Sequence, residues 1–232
     1  MKRLAALIVS ALVVACSAPS PKQSDVVAEA LRASVVLEIK VTDATTGVQS
    51  DKAFCSGTAI APGVILTNRH CVVAVDGQQI YVRFYNGDFV KAELLAVAND
   101  GETSMPSWGD ERARATDAAL LSVDPRFTTH IARVNVNHPT VSDNVFAIGS
   151  PKGLRFTVTF GHVAFVARDL EDVVYGPNTW LQHDAPVNPG NSGGGLFNEA
   201  GELIGVNTLT GGDNLSLSVP IGHILDLFQS YL

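Results

Sequence analysis

Short β-type segments, separated by turn residues, run through most of this chain of 232 residues. Each segment is rich in β-branched, aromatic or other apolar residues and is bounded by Gly, Pro, Asn or Asp, which is typical of strands in antiparallel sheets. A first set lies at 35–41, 54–61, 79–85, 90–97 and 118–123, and a second set at 145–149, 155–166, 179–183, 194–197, 203–208 and 215–219. No helical pattern lies between these segments, so the sequence predicts an all-β sandwich or barrel.

The break between the two sets and the end of the chain complete the predicted domain, 33–232. Residues 124–143 are rich in Pro, Thr, Asn and His, so we expect one β unit over about 33–123 and a second over about 144–220. Apolar residues then share one helical face, which predicts a C-terminal amphipathic helix over 221–232. They are Ile221, Ile224, Leu225, Phe228 and Leu232.

Composition excludes several other classes of protein. Hydrophobic residues make up 46% of the chain, which is enough to build a core, and charged residues make up only 17%. A typical soluble domain has about 25% charged residues, so neither an intrinsically disordered chain nor a coiled coil is expected. The formal net charge is −7 and no basic run follows Arg3, so we expect no nucleic-acid partner.

The first residues have the pattern of an export signal. Lys2 and Arg3 precede an apolar run over 4–14, which is too short to span a bilayer as a helix. The run ends in Val13-Val14-Ala15-Cys16, which resembles the lipobox of bacterial lipoproteins. We therefore expect a signal peptide over 1–15, lipidation of Cys16 and a lipid-anchored tether over 16–32, with ordinary signal cleavage as the alternative. Ser17 favours the outer membrane, facing the periplasm, by resemblance to known sorting rules.

The chain has three cysteines, and an odd number in an exported protein needs an explanation. Lipidation of Cys16 would leave Cys55 and Cys71 to form a disulfide in an oxidising compartment. Two free buried thiols are the alternative.

A glycine-rich turn between two predicted strands carries the first candidate for chemistry. Ser192 lies in Asn188-Pro189-Gly190-Asn191-Ser192-Gly193-Gly194-Gly195. A serine hydroxyl is a poor nucleophile, so it needs a nearby base and backbone N–H groups aimed at the developing oxyanion. Gly190 can adopt the backbone geometry that turns its N–H to the same point as that of Ser192. A plain turn of small residues is the alternative.

Two further residues could complete such a site. His70 lies at the end of an apolar run and beside Cys71, and Asp117 comes directly before Ala118-Ala119-Leu120-Leu121. A buried carboxylate there could hold the imidazole in one tautomer. Asp100, Asp110 and Asp124 compete for this position, but the first two lie in a polar segment and the third follows the predicted strand.

Together these segments resemble the chymotrypsin-like serine peptidases, in the bacterial high-temperature-requirement (HtrA/Deg) branch. The resemblance rests on TNRHCV at 67–72, DAALL at 117–121 and PVNPGNSGGGLFN at 186–198, with GSPKGL at 149–154 and GVNT at 205–208. It extends over about residues 33–229. It implies a double barrel of two six-stranded antiparallel β-barrels, with the active site in the cleft between them.

The resemblance also implies a role for each candidate residue. His70 would be general base and then general acid, Asp117 would orient it, and Ser192 would be the nucleophile that forms an acyl-enzyme. The N–H groups of Gly190 and Ser192 would form the oxyanion hole. The protein would then be a serine endopeptidase of exported or envelope polypeptides, with no metal or organic cofactor.

By the same resemblance, a specificity pocket is expected beside the serine. It would be lined by Pro186, Val187, Asn207, Thr208 and Leu209. None of these residues is charged, so we expect small or medium apolar side chains before the scissile bond.

Two departures from the family pattern also lead to expectations. The sequence stops about forty residues after Ser192, so no PDZ domain is expected. The long polar segment 99–116 could be an exosite, a lid over the cleft or a plain surface loop.

Two other functions fit parts of the sequence. Gly190-x-Ser192-x-Gly194, with Asp213 and His223 downstream, fits the nucleophile elbow of an α/β-hydrolase esterase, which requires a helix after the serine. A catalytically silent peptidase fold that binds other chains is the second possibility, because fold alone does not determine function.

Overall fold

Two β sheets make up most of the computed structural model, which describes residues 22–75, 77–98, 116–168 and 180–232. The strands are β1 (Ser34–Thr42), β2 (Gln49–Ala61), β3 (Val64–Thr67), β4 (Tyr81–Phe84), β5 (Phe89–Lys91), β6 (Glu93–Val97), β7 (Ala119–Ser122), β8 (Arg133–Val134), β9 (Asn144–Gly149), β10 (Thr157–Arg168), β11 (Trp180–His183), β12 (Gly195–Asn198), β13 (Glu202–Gly212) and β14 (Leu215–Pro220). The helices are α1 (Gln23–Ala33), α2 (Arg69–Val73) and α3 (Ile221–Leu227), with 3-10 turns at Pro125–Phe127, Pro151–Gly153 and Gln229–Tyr231.

The first sheet has the strand order β5-β4-β1-β2-β3-β7-β6 within the described residues. Its two edges, β5 and β6, are separated in sequence by Ala92 alone, whose N–H bonds to the carbonyl of Ile80 at 3.0 Å. One bent segment therefore forms both edges, and the sheet curves around a buried core. That core includes Leu37, Ile65, Val82 and Leu121.

The second sheet closes on itself. Its order is β12-β9-β10-β11-β14-β13-β8, and an additional pairing of β12 with β13 completes a six-stranded antiparallel barrel. The short strand β8 adds to β13 in parallel, with Arg133 opposite Glu202. The prediction of an all-β fold of two barrel units with a C-terminal helix is confirmed, but the first barrel is an open sheet of seven strands in the described residues rather than a closed six-stranded barrel. The predicted strand 90–97 is divided into β5 and β6, and β8 was not expected.

A third apolar cluster joins the two sheets. Leu66 and Leu120 of the first sheet are buried together with Phe146, Ile148 and Phe197 of the second. Because successive residues of a strand face opposite sides, β9 buries Val145 and Ala147 inside the second barrel and turns Phe146 and Ile148 to this cluster. Every described residue of β9 after Asn144 is consequently buried.

Helices cover the cluster from both ends of the described chain. Ile221, Ile224 and Phe228 bury one face of α3 and the turn after it, whereas Leu232, expected on the same stripe, is exposed. At the other end, Val26, Ala30 and Ala33 of α1 enter the cluster. Residues 23–32, the second part of the expected tether, therefore lie in a helix packed on the barrels. No helix among the described residues has the length and apolar character needed to cross a membrane.

Candidate active site

The register of the first sheet places His70 beside Asp117. Thr67, the last residue of β3, lies opposite Ala119, the first residue of β7. Because the strands are antiparallel, the residues after Thr67 and before Ala119 leave the sheet at the same place. His70 follows in the first turn of α2, and Asp117 comes two residues before β7.

The carboxylate of Asp117 binds His70 at two points. Its Oδ2 lies 2.6 Å from Nδ1 of the imidazole, and its Oδ1 accepts the backbone N–H of His70 at 2.9 Å. The Asp117 side chain is only 1% exposed, against 25% for His70. Since Nδ1 faces a carboxylate, the proton belongs there, and Nε2 is left as the acceptor on the exposed side of the ring.

Burial and charge act on the pKa of His70 in opposite directions. Burial lowers the pKa by disfavouring the imidazolium, while the hydrogen bond to Asp117 and its negative charge raise it. The interaction with Asp117 outweighs burial, so the pKa lies above its ordinary value. Asp117 therefore stabilises the imidazolium form of His70.

The rival aspartates occupy other places. Asp124 accepts the N–H of Arg126 at 3.0 Å and caps the turn Pro125–Phe127, so its side chain is committed elsewhere. Asp100 and Asp110 lie outside the described residues, as does nearly all of the segment 99–116.

The turn that carries Ser192 is docked on the first barrel. The carbonyl of Ser192 accepts the N–H of Ser56 at 2.8 Å. Gly193 approaches the first barrel so closely that an added Cβ would lie 2.2 Å from Oγ1 of Thr67, and its φ of +83° is in the left-handed region. Only glycine fits this contact, which seats Ser192 beside the end of β3.

A sulfur atom lies between His70 and the serine turn. Sγ of Cys71 is 3.7 Å from Nε2 of His70 and 3.7 Å from the carbonyl oxygen of Ser192. Nε2 of His70, on the first barrel, and the serine turn, on the second, therefore lie on either side of this sulfur atom. Strand β12 follows the serine turn, so the helix that a nucleophile elbow requires is absent and that alternative is wrong.

Hydrogen bonds hold the two peptide groups on either side of Gly190. The carbonyl of Pro189 accepts the N–H of Lys152 at 2.9 Å, while the carbonyl of Gly190 accepts Oγ of Ser56 at 2.8 Å and the N–H of Ser150 at 3.3 Å. In a trans peptide the N–H points away from the carbonyl, so the N–H of Gly190 is turned away from Lys152. Within the described residues, neither this N–H nor that of Ser192 donates a hydrogen bond. Both are available to an external oxygen.

The residues of the predicted specificity pocket separate into two groups. Val187, Asn207 and Thr208 are buried, whereas Pro186 is exposed and Leu209 is partly so. Asn207 Nδ2 donates to the carbonyl of Gly195 at 3.0 Å, and its Oδ1 accepts from Ser218 at 3.1 Å. The side chain of Asn207 is thus bonded within the second barrel, and Val187 belongs to a buried apolar cluster of that barrel.

Cys55 and Cys71 form a disulfide, which ties β2 to α2 next to His70. Among the described ranges, the one group of His, Cys, Asp or Glu close enough to share a metal ion is Cys55, His70 and Cys71. Both sulfurs are bonded to each other, so the group offers no thiolate ligands.

Asn68 and Ser56, which were not among the site residues expected from the sequence, connect parts of the candidate site. Asn68 donates through Nδ2 to the carbonyl of Asp117 at 2.7 Å and to Oγ1 of Thr208 at 3.0 Å. Ser56 binds both Gly190 and Ser192, 134 residues away from Gly190 in sequence. No local pattern indicates contacts at such separations.

A family model and individual relatives both match this chain, and they agree on the family. The model of the trypsin-like peptidase domain matches residues 55–206. The chain is 38% identical over 178 residues to the "Probable periplasmic serine endoprotease DegP-like" of Pseudomonas savastanoi pv. phaseolicola, covering 74% of this chain and 33% of the relative. It is 31% identical over 176 residues to the "Serine protease Do-like HtrA" of Lactobacillus helveticus, covering 71% and 38%. The match thus spans about a third of these relatives.

Solved structures show the same likeness. The serine endoprotease from Yersinia pestis superposes with a TM-score of 0.65 at 27% identity, covering 92% of this chain and 67% of that one. The HtrA-type protease AlgW with a tripeptide gives a TM-score of 0.69 at 26% identity, covering 90% and 63%.

Proposed function

Because this chain belongs to the trypsin-like peptidases and its relatives are HtrA-type serine proteases, we propose that it is a serine endopeptidase that acts through His70, Asp117 and Ser192. The proposal rests mainly on the two hydrogen bonds between the Asp117 carboxylate and His70, next to the turn that carries Ser192. An imidazole fixed in this way has its basic nitrogen free and an anion behind it, which is the requirement for activating a serine.

In the proposed reaction, Oγ of Ser192 attacks the carbonyl carbon of the scissile peptide while Nε2 of His70 takes the hydroxyl proton. Asp117 stabilises the imidazolium that forms, without taking a proton itself. His70 then gives the proton to the leaving amine as the C–N bond breaks, and the acyl group stays on Ser192. A water molecule, deprotonated by His70, hydrolyses this ester and restores the free serine.

The oxygen that becomes negative in the tetrahedral intermediate would accept the N–H groups of Gly190 and Ser192. Both donors are fixed before the substrate arrives, so little reorganisation opposes the reaction. Removing one such donor typically costs about 10²–10³ in rate.

The preferred residue before the scissile bond is proposed to be small or medium and apolar, such as Val, Ala or Leu. Val187 and Leu209 provide apolar contacts, and the polar atoms of Asn207 are already bonded within the fold. A buried charge in a substrate would therefore find no partner among these residues.

The relatives named periplasmic and the N-terminal pattern support a place in the bacterial cell envelope. We propose polypeptides of that compartment as substrates and the lipid on Cys16 as the anchor, on the outer membrane. Cys16 and the proposed signal peptide 1–15 lie outside the described residues.

The test is cleavage of an unfolded protein and of a peptide library by the wild-type chain and by Ser192→Ala. We expect cleavage by the wild-type chain after Val, Ala or Leu, and none by the variant. A folded wild-type chain that binds the unfolded protein without cutting it would support a silent binding protein. A library profile dominated by Arg and Lys would contradict the apolar pocket.

A further inference from the structure

A carboxylate that is fully buried lies in the first barrel, outside the candidate triad. Glu38 of β1 is 0% exposed and is bound by two guanidinium groups. Arg83 of β4 reaches Oε1 through Nε at 2.8 Å and Oε2 through Nη2 at 3.1 Å. Arg155, from the second barrel, does the same at 2.6 Å and 3.1 Å. Bidentate pairs of this kind are both strong and geometrically specific.

The charges in this cluster balance. Arg83 also contacts Asp51 of β2 at 3.3 Å, so two carboxylates face two guanidinium groups. Burial raises the pKa of Glu38, but hydrogen bonds from Arg83 and Arg155 and their charges outweigh it and hold the pKa below its ordinary value. Glu38 is therefore ionised at neutral pH, and it can bind Arg155 tightly.

Arg155 belongs to a segment that contacts the proposed oxyanion donor. We call residues 150–156 the supporting loop. Its backbone N–H groups at Ser150 and Lys152 bind the carbonyls of Gly190 and Pro189. The supporting loop therefore helps to orient the Pro189–Gly190 peptide, which carries the proposed donor N–H.

The supporting loop needs external contacts to keep its conformation. Lys152 and Phe156 have φ values of +53° and +58°, which are unfavourable for residues with side chains. Such conformations persist where the surroundings hold them. Besides the Glu38–Arg155 pair, the ring of Phe156 packs edge-on against Tyr85 of the first barrel, with centroids 5.2 Å apart.

We propose that Glu38 and Arg155 are positioning residues for the oxyanion hole: their ion pair fixes the supporting loop on the first barrel, and the loop fixes the Pro189–Gly190 peptide. The catalytic part of this proposal rests on the proposed function. Neither residue touches the reacting atoms.

The test compares Arg155→Gln with Arg83→Gln in the full chain. Arg155 is exposed over 40% of its side chain, and its loss leaves Glu38 paired with Arg83, so this variant is expected to fold. Arg83→Gln is the matched control, because it removes the other guanidinium from the same carboxylate, and the described contacts of Arg83 are to Glu38, Asp51 and Phe89 rather than to the supporting loop.

Amide hydrogen exchange tests the proposal independently of catalytic activity. The amides of Ser150 and Lys152 report directly on the two bonds to the serine turn. In Arg155→Gln we expect both to exchange about tenfold faster, as for the loss of a charge-assisted hydrogen-bonded pair. We expect wild-type exchange at these two amides in Arg83→Gln.

Steady-state kinetics provide the second measurement. Arg155→Gln should lower kcat about tenfold with KM changed less than about twofold, since the donor acts mainly in the transition state. Arg155→Lys keeps the charge but loses the planar pair of donors, so its kcat should lie between those of wild type and Arg155→Gln. Arg83→Gln should keep kcat within about twofold of wild type and lose thermal stability instead.

The outcomes separate the two proposals. Wild-type exchange at Ser150 and Lys152 in Arg155→Gln overturns the positioning role, and so does an equal loss of kcat in Arg83→Gln. If the wild-type chain cleaves no peptide, the proposed function fails, and the exchange measurement still decides whether the ion pair holds the supporting loop.

Discussion

Asp117 holds both the backbone N–H and the imidazole Nδ1 of His70, so one carboxylate determines where the residue lies and which nitrogen of its ring carries the proton. The arrangement follows from the pairing of Thr67 with Ala119 at the ends of β3 and β7. It has a direct consequence for the pH dependence of the proposed reaction.

The pH profile should reflect the interaction with Asp117. Because this interaction raises the pKa of His70, kcat/KM should rise with pH through a midpoint above the ordinary value of about 6.5. Asp117→Asn removes the charge, so burial should move the midpoint to lower pH, and kcat should fall by about 10⁴. Initial rates from pH 5 to 9 measure both effects.

The matched control for this prediction is Asp124→Asn, which changes a carboxylate that caps a surface turn and pairs with the exposed Arg126. It should keep the wild-type midpoint. An unchanged midpoint in Asp117→Asn, with peptide cleavage intact, would contradict the assignment of His70 as the base.

Gly193→Ala should separate the serine turn from the first barrel. Its new Cβ would lie 2.2 Å from Oγ1 of Thr67 and 2.3 Å from the carbonyl oxygen of Ser56. We expect a loss of about 2–4 kcal/mol of unfolding free energy and at least about 10²-fold in kcat, since displaced reacting groups lose their alignment. Chemical denaturation and initial rates measure the two losses.

Gly212→Ala is the control for backbone strain alone. Gly212 has a φ of +77°, but nothing lies within 4 Å of its added Cβ. It should lose only about 1–2 kcal/mol, the cost of a left-handed conformation, and keep its activity. Equal effects of the two substitutions would show that the contact with Thr67 is unimportant.

Reduction of the Cys55–Cys71 disulfide should destabilise the fold. The bond joins residues 16 positions apart, and closing a loop of this length stabilises by about 3 kcal/mol in the chain-entropy estimate. Denaturation with and without dithiothreitol should show this difference in the wild-type chain. The double variant Cys55→Ala, Cys71→Ala should not respond to the reductant, and an equal response would locate the effect elsewhere.

His183 should make stability depend on pH on the acidic side. It is fully buried, and Nε2 lies 3.0 Å from Oγ of Ser218; burial lowers its pKa to about 4. The unfolded chain binds the proton more readily, so stability is greatest above about pH 6.5 and falls as the pH drops towards 4. The full contribution is about 3 kcal/mol.

Denaturation between pH 4 and 7 tests this contribution. His183→Gln keeps a donor but does not titrate in this range, so its stability should depend less on pH than that of wild type. The exposed His138→Gln provides the control and should follow the wild-type curve. Parallel curves for wild type and His183→Gln would contradict the prediction.

Local patterns predicted most of the strands and singled out the three residues of the proposed triad. β-rich segments between turn residues located most strands, and a buried-type segment after Asp117 distinguished it from Asp124. Three elements were missed because their signals are short. Strands β3 and β8 have four and two residues, and α2 has five.

Contacts between distant segments could not be predicted from one sequence. The first six residues of β1, 34–39, are all buried, so the strand lacks the alternation from which the facing of Glu38 could be predicted. The pairing of β1 with β2 is also irregular here, since Leu37 lies opposite Cys55 but Glu38 lies opposite Ala53. Nothing near Glu38 in sequence indicates that Arg155, 117 residues later, will meet it.

The helix α1 was not predicted from the sequence, for a different reason. Polar composition over 16–32 favoured a tether, yet Val26 and Ala30, four residues apart, form a small apolar stripe that packs on the core. Such a short stripe becomes stable only when a surface exists to receive it, and that surface comes from strands much later in the chain.

A fluorophosphonate probe tests whether Ser192 is an activated nucleophile. The full chain, Ser192→Ala and His70→Ala are treated with the probe, and the adduct is located by mass spectrometry. We expect one adduct, on Ser192 of the wild-type chain, and none in either variant. A folded wild-type chain that does not react, or a His70→Ala variant that labels as fast as wild type, would contradict it.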